Sequence, residues 1–196
     1  MTTKTELTKE DILDLAAYEE IRIQRRAEIA ELKKPRRLSV GPYATFYFEC
    51  YDTMWHQVHE MLHIERGGEA QIPDELLAYN PLIPKGDEVV ATLMFEIDDP
   101  VRRAQVLDRL GGVEETVTLN FEGEAVAGVA EEDVDRTTAD GKASAVQFIH
   151  FPFTAAQIAI FRSPGTRVMV AITHPGYDHQ AGMAEEVRQA LAEDFD

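Results

Sequence analysis

The stretch Thr116-Val117-Thr118-Leu119-Asn120-Phe121-Glu122-Gly123-Glu124-Ala125-Val126-Ala127-Gly128-Val129-Ala130 decides the fold. Apolar and polar residues alternate on both sides of Gly123, so the stretch reads as two strands, 116–121 and 125–130, folded into an antiparallel hairpin. Upstream, 89–97 alternates and is the cleanest strand, and 100–110 reads as a helix closed by Gly111-Gly112. Downstream come a strand over 143–153, a short helix opened by Thr154 and running to Phe161, and a strand over 167–173. His174-Pro175-Gly176 breaks that strand, and a helix over 183–195 follows.

The first half adds helices and one more hairpin. Thr8, followed by Lys9, Glu10 and Asp11, reads as a helix N-cap, with a helical pattern running on until Pro35 ends it. Leu38 and Val40 alternate with Phe46, Phe48 and Cys50 across a Gly41-Pro42 turn. A helix over 53–66 stops at Gly67-Gly68, 73–79 is a short helix, and 80–86 is loop. The order predicts a single α+β domain over 1–196, with a mostly antiparallel sheet and N-terminal, central and C-terminal helices. Residues 1–35 form the N-terminal helical region and 36–196 the α+β core.

The chain has 196 residues, 44% of them hydrophobic, and a formal net charge of −17. That apolar fraction excludes global disorder, and no window approaches the roughly 18 apolar residues of a membrane span. The polar, acidic start is expected to be neither a signal nor a transit peptide. The lone Cys50 excludes a disulfide framework within the chain, so the expected setting is reducing and cytoplasmic. The acidity argues against nucleic acid and anionic lipid as partners. Charge is uneven, however: residues 22–37 carry seven basic side chains against two acidic ones. This segment reads as a solvated helix face paired with acidic surface of this or a second chain, or as an anion or partner dock. The oligomeric state stays open.

There is no phosphate-binding loop, dinucleotide fingerprint or nucleophile elbow. The segment Trp55-His56-Gln57-Val58-His59-Glu60-Met61-Leu62-His63 contains a literal HExxH, the zincin pattern. At about 100° per residue, His56, His59, Glu60 and His63 share one arc, while Met54, Trp55, Val58, Met61 and Leu62 share another. With the apolar arc on the core, the histidine stripe is expected to face solvent or a partner. Gln57 and Glu65 fall inside the apolar arc, and a carboxylate sent inward must be paired, hydrogen-bonded, protonated or metal-bound. His150 shares a strand face with Val146 and Phe148, and His174 extends the Val168/Val170/Ile172 face.

Several stretches resemble a bacterial family catalogued as domain of unknown function 3501. They are Arg36-Arg37-Leu38-Ser39-Val40-Gly41, Phe48-Glu49, Gln57-Val58-His59-Glu60-Met61-Leu62 with Glu65, Leu77 to Pro84 (its Tyr79-Asn80-Pro81 core above all), Ala91 to Glu96, Ser144 to Phe148, and His174-Pro175. The resemblance covers nearly the whole chain. It implies a gene neighbourhood of rubrerythrin-like and iron–sulfur proteins, and through it a link to redox or peroxide metabolism. Arg37, Gln57, Tyr79 and Asn80, all within these stretches, are the ligand-binding candidates.

Three functions are therefore expected. The first is a redox-linked accessory protein that binds Fe, Mn or Zn, or a small ligand, at an internal site. Its candidate metal ligands are Glu49, Glu60 and Glu65, with His59, His63, His150 and His174 as further imidazoles. The second is a charge-driven adapter for an oxidoreductase or rubrerythrin-like partner. The third is a zinc-dependent hydrolase using His59, Glu60 and His63.

Overall fold

The structure, a computed structural model, describes residues 4–131 and 142–196. The quoted hairpin forms as read: β4 (Val117–Phe121) and β5 (Glu124–Ala127) pair antiparallel. Glu122 and Gly123 both take positive φ, 47° and 85°, as the tightest hairpin turns require. The second run then differs from the expectation of one strand to Ala130. At Gly128 the chain leaves β5 and becomes β6 (Val129–Ala130), which pairs with a different sheet. A Cβ on Gly128 would stand 2.6 Å from the Ile149 side chain, so only glycine lets the backbone cross that close.

The expected sheet is thus two sheets, each antiparallel throughout. The remaining strands are β1 (Arg37–Val40), β2 (Ala44–Phe48), β3 (Glu88–Phe95), β7 (Val146–Pro152), β8 (Val168–His174) and β9 (Tyr177–Gly182). The first sheet runs β1-β2-β3-β7-β6 and the second β5-β4-β8-β9. Alternation sends Phe46, Phe48, Leu93, Ile149 and Phe151 from the first sheet against Leu119, Val170 and Ile172 from the second, in one buried core. Two short helices, α5 (Ala155–Arg162) and α6 (Glu185–Ala192), close one end. There Phe121, Phe153, Phe161 and Phe195 meet with ring centroids 4.9–5.7 Å apart. Helix α4 (Pro100–Leu107) begins at Asp99, whose side chain caps Arg102 N.

The outer face of the first sheet carries a helical layer of α1 (Leu15–Lys33), α2 (Tyr51–Glu65) and α3 (Ile72–Tyr79). A second apolar cluster, including Leu7, Met54, Val58, Leu82, Ile83 and Val90, lies beneath it. The N-terminal region is not one helix from Thr8. Thr8 caps only a 3₁₀ turn, and α1 starts afresh where the Asp14 side chain accepts from Ala17 N. Cys50 lies on no strand; it is the buried N-cap of α2, and burial pushes its thiol pKa up. Among the described residues, no helix is long and apolar enough to cross a membrane.

Two polar ties hold the parts together. Arg36, just after α1, and Asp194, just after α6, form a buried bidentate ion pair at 2.7 and 2.9 Å. The Tyr177 hydroxyl donates to Val40 O at 2.7 Å and accepts from Tyr43 N and Ala44 N at 2.9 Å, pinning the β1–β2 turn to β9.

Candidate functional site

In β2, residues 44, 46 and 48 point into the sandwich, so Thr45, Tyr47 and then Glu49 face the helical layer. The same parity puts Thr92 and Met94 of β3, and Val146 and Phe148 of β7, on that face. α2 crosses over it, but covers only part. Between Met54 and Gln57 of α2, Tyr79 at the end of α3 and Leu82 just after it, Lys33 at the end of α1, and these sheet residues there is a cavity of about 350 Å³.

Glu49 is 6% exposed and is held by two hydroxyls. Thr53 donates to its Oε2 and Thr92 to its Oε1, both at 2.7 Å. Thr53 is fixed in turn by the donor bond it accepts from Cys50 N at 2.9 Å. Glu49 has no cationic partner among the described residues, although its backbone carbonyl lies 3.4 Å from Arg36 Nη1. Around it, the side chains of Lys33, Gln57 and Tyr79 make no hydrogen bond or ion pair with any described residue. A pocket with apolar walls and a few convergent polar groups is the usual form of a small-molecule site. Arg37 stands opposite Tyr47 in register and shares the outer face.

The structure thus brings together three of the expected residues, Glu49, Gln57 and Tyr79. Asn80 is elsewhere: its amide is clamped to the backbone of Leu7, donating to Leu7 O at 2.9 Å and accepting from Leu7 N at 2.7 Å. Sequence reasoning missed Lys33, Thr53, Thr92 and Phe148 as site residues. Thr92 alone gave a signal, as the polar position inside the apolar run of β3.

Two expectations on α2 are reversed. Glu65 is exposed and only accepts from Gln71 Nε2, because the last turn of α2 runs past the apolar cluster. The histidine stripe is not open to solvent: α1 lies across it, so α2 is buried on two opposite faces. His59 is 1% exposed, with Nδ1 donating to Trp55 O at 2.7 Å and Nε2 accepting from Leu13 N at 3.0 Å. Glu60 receives Arg22 Nε and Nη2 at 2.7 and 2.8 Å and the Tyr18 hydroxyl at 2.8 Å, which hold its carboxyl pKa down to about 2. His63 Nδ1 lies 3.5 Å from Glu19. The HExxH set is held by α1 and the segment leading into it: Glu60 and His63 face α1 side chains, and His59, bonded to Leu13 N and Trp55 O, also lines a cavity of about 210 Å³ with Leu13, Tyr18 and Leu62.

Burial lowers the pKa of His56 and of His59 from the ordinary 6.5, with Arg25 adding to the effect on both and Lys33 and Arg26 on His56. The unfolded chain therefore takes up protons first as pH falls. The stability contributed by the neutral pair is whole above about pH 6.5 and is lost below it as pH falls through the native values. Glu60 does not titrate in that window. Thermal midpoints measured from pH 7.5 to 5 are expected to fall, and a His56→Gln/His59→Gln variant to show a shallower fall. An unchanged slope would move the acid sensitivity to other groups.

The remaining metal candidates are scattered. His150 Nδ1 pairs with Glu88 at 2.9 Å. His174 has Nε2 3.2 Å from Gly111 O and Nδ1 accepting from Gly176 N at 3.0 Å. Among the described residues, no three or more His, Cys, Asp or Glu side chains gather as a metal site. The basic segment is largely spent inside the chain: Arg22 on Glu60, Arg25 on Glu28 and Asp52, Lys34 on Glu31, and Arg36 on Asp194. That leaves Arg26, Lys33 and Arg37 without an ion pair among the described residues.

A family model described as "Protein of unknown function (DUF3501)" matches residues 6–195. The fold is similar to that in a crystal structure of a novel protein of unknown function from Burkholderia pseudomallei K96243. The two are 36% identical with a TM-score of 0.89, over 97% of this chain and 99% of that one. No curated protein matches the chain.

Proposed function

For this chain, which belongs to the DUF3501 family, we propose an accessory role built on binding a small ligand in the cavity between the first sheet and α2. One observation carries the reading: a buried carboxylate, Glu49, held by two hydroxyls, lines a cavity in which the side chains of Lys33, Gln57 and Tyr79 have no hydrogen-bond or ion-pair partner among the described residues. Each carboxylate oxygen has acceptor capacity left beyond its threonine, so the natural guest brings an N–H donor, most simply a cationic amine. Met54, Leu82, Met94, Val146 and Phe148 supply apolar contact for the rest of the molecule. A metal would find one carboxylate and neutral oxygens there, a poorer set than an organic cation meets. The setting we read for it is redox metabolism, on the gene neighbourhood that the family resemblance implies.

The test is a heteronuclear NMR titration against a library of amine-bearing metabolites. Amides of Gln57, Tyr79 and Thr92 are expected to shift together with at least one compound. Charge-assisted hydrogen bonds contribute about 1.5–3 kcal/mol. Glu49→Gln, which keeps an oxygen for a threonine donor, is therefore expected to weaken that compound about 10- to 100-fold. A library that leaves all three amides unmoved would overturn the reading.

A further inference from the structure

From the placement of opposite charges in one cavity, we infer that the ligand is a zwitterionic amino carboxylate with an apolar side chain, of the size and kind of a free amino acid. The inference rests on the reading of the cavity as a ligand site and adds the ligand's class. Glu49 is the buried acid of the cavity lining. Lys33, the last residue of α1, lines the same cavity and has no ion pair among the described residues, whereas its neighbour Lys34 is engaged by Glu31 at 2.6 Å. Arg37, opposite Tyr47 in register on the same sheet face, is a second cation without an ion pair among the described residues.

A plain anion would pair with Lys33 but would leave the Glu49 carboxylate without a cation. A plain cation would satisfy Glu49 and leave the Lys33 ammonium of the same lining idle. A molecule carrying both charges completes both groups at once, and the opposed charges also fix its orientation. The remaining lining is apolar and adaptable: two methionines, Met54 and Met94, face Leu82 and Phe148. Thioether side chains repack around unbranched apolar groups. At about 350 Å³ the cavity is at the small end of small-molecule sites, roughly 300–1,000 Å³, which suits a single amino acid and excludes a dinucleotide.

Isothermal titration calorimetry on the full chain with four probes tests this: L-methionine, L-leucine, L-methionine amide and N-acetyl-L-methionine. Free L-methionine or L-leucine is expected to bind. The amide, which keeps the ammonium but loses the carboxylate, and the N-acetyl compound, which does the reverse, are each expected to bind at least 10-fold more weakly. Lys33→Met is expected to bring the affinity for the free amino acid down to that for the amide. An amide that binds as tightly as L-methionine would overturn the zwitterion and leave the Glu49 cavity as an amine site. Heat from none of the four, with other amines still shifting Gln57 and Thr92, would overturn this inference alone. No shift with any amine would overturn both.

Discussion

Replacing Asp194 with Ala is expected to cost about 3–5 kcal/mol, the range seen when one member of a buried ion pair is removed. Both side chains are nearly inaccessible, 8% exposed for Arg36 and 6% for Asp194. Arg36 also donates to Ala190 O at 2.9 Å. The variant leaves a guanidinium in the interior with one strong acceptor where it had a bidentate carboxylate. At about 2–4 °C per kcal/mol for a chain of this size, the thermal midpoint should drop by on the order of 10 °C. The loss belongs to the orphaned charge rather than to the pair's net worth. A double variant, Arg36→Met with Asp194→Leu, should accordingly recover most of it. Urea unfolding of the two variants is the measurement. A single variant losing less than about 1 kcal/mol would mean that water reaches the guanidinium.

Tyr177→Phe is expected to cost about 2–4 kcal/mol while leaving the ring in place. One hydroxyl serves three backbone groups, donating to Val40 O and accepting from Tyr43 N and Ala44 N. Val40 and Ala44 are buried, so water does not replace the lost bonds there, and unmet buried groups cost about 1–3 kcal/mol each. The ring contacts with Phe95 and His179 remain, so no cavity opens. Tyr43→Phe is the control: its hydroxyl meets only the exposed Arg102, and its loss should stay within about 0.5 kcal/mol. Equal losses in the two variants would deny the buried hydroxyl its role. An unchanged denaturant slope would show that the effect is on stability rather than on the extent of unfolding.

Much of the fold is legible in the residues, and the failures have physical reasons. Alternation locates β3 and β7 because both of their faces meet something different. β9 is invisible to it: Asp178, His179 and Gln180 are all exposed on an edge strand, so neither face is marked apolar. The passage of 125–130 from one sheet to the other is a tertiary event, and alternation continues smoothly through it. At the site, periodicity placed Gln57 on the sheet side of α2, and the structure seats it beside Glu49 and Tyr79. The same periodicity misplaced Glu65 and the histidines. It assumes a helix with one buried face, whereas α1 covers the opposite face of α2. Lys33 belongs to the cavity only because α1 ends there, which no local pattern encodes.

The strand order also governs how the molecule can assemble. β3 sits at the centre of the first sheet, yet one of its partners, β7, pairs with it from Met94↔Val146 to Glu88↔Pro152. The whole β4–β5 hairpin of the other sheet lies between those two strands in the chain. During synthesis β3 therefore has β2 on one side and an open edge on the other until residue 152 has been made. Loop closure over that distance comes before any gain from the pairing, which favours slow, concerted folding over stepwise growth. A nascent chain halted between β3 and β7 would expose an unpaired, apolar strand edge, the kind of surface on which chains associate wrongly.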